Sequence, residues 1–413
     1  MTYNIACIGE PLAEISRGAA DLAVAFGGDT LNTAIYCARS VQDRDIAVHY
    51  VTAIGEDTLS DTALELMTRE GIHTDHVSRD PNRQIGIYAI QNDETGERSF
   101  HYWRDTSAAR AMFATDTSPH LAAIEMADLA YLSGITLAIL TPDARDRLWN
   151  ALAARRASGL KVAFDSNYRP TLWDSIATAR REIDRFWKIT DIALPSSEDE
   201  ADLFSDKSTS GIINRIVAAG AQTGALKCGD AGPLLIPLSD ATANFAKADS
   251  VVDTTGAGDS FNGAYLAAIA DDKTQTEAAI EAHALAARVV THQGAILPRM
   301  AAPEAIRMGS VIRLRPKHLE EYKRLQEDVW PGVLSRLKAS HFTNYSIYLK
   351  KPEFLMFGYF EYAGSDFEAD NAAIAADPII QEWWAACGPM QDPFETRADG
   401  EWWAEMEEVF HLA

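Results

Sequence analysis

From Tyr3 to about Ala302 the chain alternates short apolar runs with longer amphipathic stretches. The runs 3–8 (YNIACI), 46–54 (IAVHYVTAI), 128–134 (DLAYLSG), 160–165 (LKVAFD) and 191–194 (DIAL) predict strands. Between them, 143–158 and 174–188 predict helices. Continuous rather than alternating apolar strands, separated by helices, point to βαβ units in a parallel sheet covered on both faces. Residues 85–104 read differently. Two alternating segments flank DETG, which predicts an antiparallel hairpin, a flap on an edge of the main sheet.

The pattern changes after Pro298. LPRMAAPEA reads as a linker, and five of the nine tryptophans lie beyond position 329, in the minority of the chain. SVIRLR (310–315), NYSIYLK (344–350), FLMFGYFEY (354–362) and EMEEVFHL (405–412) predict strands; 318–330 and 366–377 predict helices, the first with Leu319, Tyr322 and Leu325 on one stripe. This is a small α+β unit, so two domains are expected, 1–303 and 304–413.

Composition narrows the partners. With 413 residues and 47% hydrophobic positions the chain can build more than one core, while a net charge of −23 repels phosphate backbones and anionic membranes. No stretch has the apolar length of a membrane span, and MTYNIACIGE has no basic region ahead of an apolar run. Cys7, Cys37, Cys228 and Cys387 sit apart among apolar neighbours without a CxxC, the pattern of buried thiols in a reducing cytoplasm.

The candidate chemistry centres on DTTGAGDSFN, 253–262, where the β-branched pair Val251–Val252 suggests a strand running into a turn and then a helix near Asp259. Glycines let backbone N–H groups approach a ligand, and a helix N-terminus favours an anion. A carboxylate at such a site can take a proton from a hydroxyl that attacks phosphorus. The alternative is a tight turn with an aspartate cap. Neither GxxxxGK[ST] nor GxGxxG is present here.

VVDTTGAGDSFNGAYL resembles the C-terminal motif of the PfkB (ribokinase-like) carbohydrate kinases, and the resemblance runs along residues 1 to about 300. It implies a ribokinase-like parallel sheet with a β lid, with ATP and Mg²⁺ as cofactors. It also implies roles. Asp259 is the base, and the N–H groups of Gly256, Ala257 and Gly258 form an anion hole. GGDTLNTAIYCAR is similar to the family's sugar-binding glycine pair and asparagine, so Gly27, Gly28, Asp29 and Asn32 contact the sugar. LKCGDAG places Lys227, Gly229 and Gly232 near ATP. In ALPSSEDEADLF, Ser197 stands where the family's Asn-x-x-Glu motif has asparagine, and Glu200 would order Mg²⁺ through water.

HYWRDTSAA and FDSNYRPTLW are most similar to 2-keto-3-deoxygluconate kinases. That resemblance implies that Arg104 and Arg169 hold a substrate carboxylate beside Tyr88, Tyr102 and Asn167. The guanidinium fork suits a carboxylate, and in an alternating hairpin Tyr102 and Arg104 share a face. A neutral sugar or a nucleoside is the competing substrate.

Residues 305–413 resemble the L-rhamnose mutarotase family through SVIRLRPKHLEEYKRLQEDVWPGVL, NYSIYL, FGYFEY and EEVFHL. A ferredoxin-like α+β barrel and a homo-oligomer are implied, with Tyr322, Tyr345, Trp383 and Trp384 lining a sugar pocket. The family places a histidine four residues before its Trp-Pro pair; here Trp330-Pro331 follows Gln326, which cannot titrate. His341 and Tyr322 are the substitutes, unless this unit binds sugar without turning it over or serves in assembly.

Overall fold

The computed structural model describes residues 2–17, 22–42, 44–92, 98–239, 245–299, 305–364 and 366–411. The chain divides into two compact units, Met1–Leu297 and Pro298–Ala413. The expected boundary at 303/304, most of the linker and the DETG turn lie outside the described residues.

The strands of the first unit are β1 Tyr3–Ile8, β2 Leu12–Arg17, β3 Leu22–Gly27, β4 Ile46–Gly55, β5 Val77–Asp80, β6 Gly86–Asn92, β7 Arg98–Trp103, β8 Leu129–Ser133, β9 Lys161–Asp165, β10 Ile192–Ala193, β11 Thr223–Leu226 and β12 Leu234–Leu235. Eight form the main sheet in the order β12-β11-β10-β9-β8-β1-β4-β5, parallel except for the β11–β12 pair. Successive residues feed opposite cores. Ala6, Ile8, Ala130, Leu132, Val162 and Phe164 pack into one. Ile5, Cys7, Leu129, Tyr131 and Ala163 pack into the other. Both faces are therefore apolar, which is why these strands read as unbroken hydrophobic runs.

The 85–104 hairpin is not a flap on the main sheet. β6 and β7 join β2 and β3 in a separate four-stranded sheet, order β3-β2-β6-β7. The segment 12–27 that completes it carries a glycine-flanked alternation too short to stand out in the sequence. Val251 and Val252 form no strand. They are 67% and 60% exposed on a loop held by the Val252 N–H donating to the Val290 carbonyl at 2.8 Å. The 191–194 strand shrinks to β10, and the expected helices span Pro142–Arg156 and Ile176–Trp187.

In the second unit β13 Ile306–Leu314, β14 Phe342–Lys350, β15 Leu355–Tyr362, β16 Gln391–Asp392 and β17 Ala404–Met406 make an antiparallel sheet, order β14-β15-β13-β16, with β17 also on β13. Helices lie between the strands and bury Tyr322, Val333, Ile374, Ile380 and Trp383 against Ile312, Leu314 and Met356. The helix expected to reach residue 330 stops at Glu327; Trp330 caps a second helix, Pro331–Ala339. The final strand is shorter and earlier than 405–412: only Ala404–Met406 pair, with Gly309–Val311 of β13. The helix Pro378–Cys387, not foreseen in the sequence, carries Trp383 and Trp384. The four cysteines are free, and no described helix is long and apolar enough to cross a membrane.

Candidate active site

The polar side chains of the first unit converge at the C-terminal ends of the parallel strands, where open α/β sheets place their ligands. Glu10 follows β1, Ser133 ends β8, Asp165 ends β9, and Lys227 follows β11. Two helices close the site, Asp29–Ser40 and Ala257–Ala270. The second begins two residues before Asp259, with Gly256 as its N-cap at φ 76°. A Cβ on Gly256 would stand 2.5 Å from the Ala295 carbonyl oxygen, so only glycine fits this turn. Asp253 braces it, accepting the Thr255 N–H at 3.0 Å and the Gly294 N–H at 2.9 Å. Of the three N–H groups expected to form the anion hole, that of Ala257 donates to the Thr254 carbonyl at 3.2 Å.

The helices approach closely because of Gly263. A Cβ there would lie 2.6 Å from the Thr33 carbonyl oxygen and 2.8 Å from the Cys37 nitrogen. This contact brings Asn32 Nδ2 to 2.8 Å from Asp259 Oδ2. Thr33 Oγ1 adds a longer bond, 3.3 Å, to the Asp259 carbonyl. Burial pushes the Asp259 carboxyl up to about 7, with the Asp29 and Asp165 charges adding to the rise and Asn32 and Lys227 opposing it. A carboxylate so placed can both take and release a proton near neutrality. Its acid form cannot act as a base. The pH dependence of kcat/KM should therefore show a rising limb centred near pH 7, and a limb near pH 4 would remove Asp259 from the role.

Asp29 accepts hydrogen bonds from Asn167 Nδ2 at 2.8 Å and from the Ser133 hydroxyl. Asn32 Oδ1 is buried without a donor. Gly27 ends β3 beside it, and Gly28 (φ 122°) lies over the Glu10 carbonyl. On the lid sheet the rings of Tyr88 and Tyr102 stack with centroids 5.8 Å apart. Arg104 lies just past β7, with its guanidinium 5.9 Å from the Tyr102 ring centroid. It is only 6% exposed, and its Nε donates to Glu10 Oε2 at 2.9 Å. It therefore already holds a protein carboxylate. Arg169 is more open; its Nη1 donates to the Tyr168 carbonyl at 2.8 Å and to Asp199 Oδ1 at 3.1 Å.

Lys227, expected beside ATP, has a tight network of its own. Its Nζ donates to Asp165 Oδ2 at 2.6 Å and to Asn262 Oδ1 at 2.9 Å. Asn262 Nδ2 returns to Asp165 Oδ2 at 2.8 Å and to the Tyr131 hydroxyl at 3.0 Å. Asp165, Asn262 and Glu10 were not singled out in the sequence, although all three lie in or beside quoted motifs. Their types were visible, but not their convergence. Gly229 and Gly232 flank a short 3₁₀ turn after Lys227, and the Ser197 N–H donates to the Lys227 carbonyl at 2.9 Å. Glu200 is fully buried, and its Oε2 pairs with Arg215, which also holds Asp206. Burial raises its carboxyl pKa against the pull of Arg215. Glu200 Oε1 and the neighbouring Ser166 Oγ make no well-formed hydrogen bond. The Glu200 oxygen left without a well-formed donor can accept from a water, the form in which this carboxylate would meet a hard cation.

In the second unit Tyr322 is buried, and its hydroxyl accepts from Gln391 Nε2 at 3.4 Å. Gln391 Oε1 in turn accepts from Trp402 Nε1 at 2.6 Å. Gln326 sits one turn beyond Tyr322, with Nε2 3.9 Å from Cys387 Sγ. Trp383 packs edge-on against Trp330 at 5.3 Å, whereas Trp384 and Tyr345 are half exposed. His341 belongs to another cluster, 3.0 Å from Asp370, which also accepts the Tyr362 hydroxyl at 2.7 Å. Among the described contacts none links His341 with Tyr322 or Gln326.

A parallel sheet with a small β lid, and a glycine turn presenting an aspartate at the strand ends, define a carbohydrate kinase of the ribokinase type. Residues 3–302 match the pfkB family carbohydrate kinase model, and the chain belongs to that family. It is 40% identical over 310 residues to the 2-dehydro-3-deoxygluconokinase of Escherichia coli (strain K12), covering 73% of this chain and 100% of the relative. To the enzyme of the same name from Dickeya dadantii (strain 3937) it is 40% identical over 307 residues, covering 73% of this chain and 99% of the relative. The crystal structure of a PfkB protein from Polaromonas sp. JS666 shares the fold, with a TM-score of 0.61 at 24% identity over 71% of this chain and 96% of that one. Residues 307–412 match the L-rhamnose mutarotase family, so the kinase carries a C-terminal mutarotase-family domain.

Proposed function

We propose that the first unit transfers the γ-phosphoryl group of ATP to the terminal hydroxyl of a 2-keto-3-deoxy sugar acid. The observation that carries the mechanism is the Asp259 carboxylate. Asn32 fixes one of its oxygens, and its proton affinity is tuned to neutrality. Asp259 Oδ1 takes the hydroxyl proton as the sugar oxygen bonds to phosphorus and the bond to ADP breaks; the products are ADP and the phosphate ester. The Gly256 and Gly258 N–H groups at the helix N-terminus stabilise the charge on the transferring group. Mg²⁺ would neutralise phosphate charge when bound, and Glu200 would act on it only through water. The buried Asn32 Oδ1 and the Asp29 carboxylate serve as acceptors for sugar hydroxyls.

The substrate class rests on the 2-dehydro-3-deoxygluconokinase relatives and on Arg169. Half of the Arg169 side chain is exposed, so it can meet a substrate carboxylate. Arg104 acts from behind, holding Glu10 and lying over the Tyr102 ring. Arg169→Ala is expected to raise KM for the sugar acid about 10- to 100-fold with little change for ATP, the loss of one charge-assisted hydrogen bond of about 1.5–3 kcal/mol. Arg104→Ala should also destabilise the fold, because it leaves Glu10 buried and unpaired. A panel of sugars and sugar acids with ATP decides the class: preference for an uncharged sugar, indifferent to Arg169→Ala, rejects the clamp.

For the second unit we infer an aldose pocket built on the Tyr322–Gln391–Trp402 chain, with weak or no anomer exchange because Gln326 carries no titratable proton. NMR anomer exchange of L-rhamnose should be near the uncatalysed rate in wild type and faster in Gln326→His. Robust wild-type exchange lost in His341→Ala overturns this. The two chemistries do not run in series on one sugar, since a 6-deoxy sugar lacks the hydroxyl that the kinase would phosphorylate.

A further inference from the structure

At the other end of β4, away from the kinase site, lies a histidine cluster with no part in phosphoryl transfer. His49 stands early in β4, six residues before Gly55 at the end that faces the active site, about 20 Å along the strand. His73 pairs with it as an isolated parallel bridge. The His73 N–H donates to the Val48 carbonyl at 2.8 Å, and its carbonyl accepts from Tyr50 at 3.0 Å. The His76 carbonyl accepts from Thr52 at 3.4 Å. The connection 70–76 is thus tied at both ends to β4, and the positions of His73, Asp75 and His76 follow from that tie. The rings of His49 and His73 stack at 4.8 Å, and His76 lies 5.7 Å from His49.

The protonation of His49 can be read from its partners. Asn4 Nδ2 donates to the Thr2 carbonyl at 3.1 Å, so Asn4 Oδ1 is the atom that faces His49 Nε2, at 3.2 Å. An amide oxygen only accepts, so Nε2 carries the hydrogen and Nδ1 carries the lone pair. That lone pair is buried without a donor in a side chain only 7% exposed. Imidazole whose second nitrogen donates to an amide oxygen has the arrangement of a metal ligand with its supporting partner. One ligand atom from each of His49, His73 and Asp75 lies within 4.8 Å of the others.

We propose that His49, His73 and Asp75 form a binding site for a divalent transition cation, Zn²⁺, with His49 Nδ1 as the buried ligand. Two imidazoles and one carboxylate suit Zn²⁺ and disfavour Mg²⁺, which prefers an all-oxygen octahedral shell. In tetrahedral coordination, ligand atoms lie about 3.3 Å apart, from bonds of about 2.0 Å. The two exposed side chains, His73 and Asp75, close the gap by rotation, and the fourth position is left to water with His76 alongside. The bound ion clamps the connection to β5 onto β4, so it supports the sheet edge and takes no part in the reaction.

The test uses the full chain without an affinity tag, stripped with a chelator and titrated with Zn²⁺ against a chromophoric competitor in millimolar Mg²⁺. One site per chain is expected to outcompete the rest. His73→Gln and Asp75→Asn, both at exposed side chains, should each weaken it at least about tenfold, and Asn4→Ala about 10- to 100-fold through loss of the supporting hydrogen bond. Zn²⁺ should raise the melting midpoint of wild type but not of the double variant His73→Gln/Asp75→Asn. An equal rise in both, or the same affinity in wild type and both single variants, overturns the site. So does the absence of stoichiometric binding.

Discussion

Asp259→Asn is expected to lower kcat by about 10²- to 10⁴-fold while ATP still binds, the usual cost of removing a general base. Asparagine keeps the shape and can still meet Asn32, so the loss reports the missing base rather than a collapsed site. A second readout separates these two cases. Asp259 holds its proton more tightly in the folded chain than in the unfolded one, where its pKa is near 3.8. Its charge therefore costs stability as pH rises from about 4 to about 7, and that cost is complete above pH 7. The asparagine variant should melt higher than wild type at pH 8 and no higher below pH 4. Near wild-type kcat in Asp259→Asn would overturn the assignment. A lower melting point at pH 8 would show that the carboxylate supports the fold instead.

Gly263→Val should damage both stability and turnover. The two helices bearing Asn32 and Asp259 touch through this residue, and a side chain there meets the backbone at Thr33 and Cys37, which cannot rotate away. Overpacking of this kind costs about 1–3 kcal/mol in general. Here the helices must also part, and the 2.8 Å bond from Asn32 to Asp259 stretches. We expect kcat to fall at least about tenfold, with a matching loss in denaturant unfolding, and Gly263→Ala to lie between. Wild-type kcat with reduced stability would mean that the base holds its place without Asn32. Unchanged stability would mean that the crossing is looser than the contact distances imply.

Some of this protein was written locally. Each central strand announces itself because both faces are buried, and Leu129–Ser133 is apolar at nearly every position for that reason. The glycine turn and Asp259 were legible because backbone geometry near an anion demands glycine over a few consecutive residues. The change of composition after Pro298 was equally plain. Other features depended on partners far apart in the chain. The lid sheet draws its four strands from 12–27 and 86–103, and no local pattern couples them. Arg104 reads as a ligand for a substrate carboxylate, and only the fold shows that Glu10, 94 residues away, also meets it. Lys227 reads as a residue near ATP, but its bonds to Asp165 and Asn262 are seen only in space. The sequence alone determined which residue types occupy the strand ends and that a carboxylate follows two glycines. Only the tertiary structure decided which charges meet, and with them the proton affinity of Asp259, because burial and Coulomb interaction depend on distance in space and not on separation along the chain.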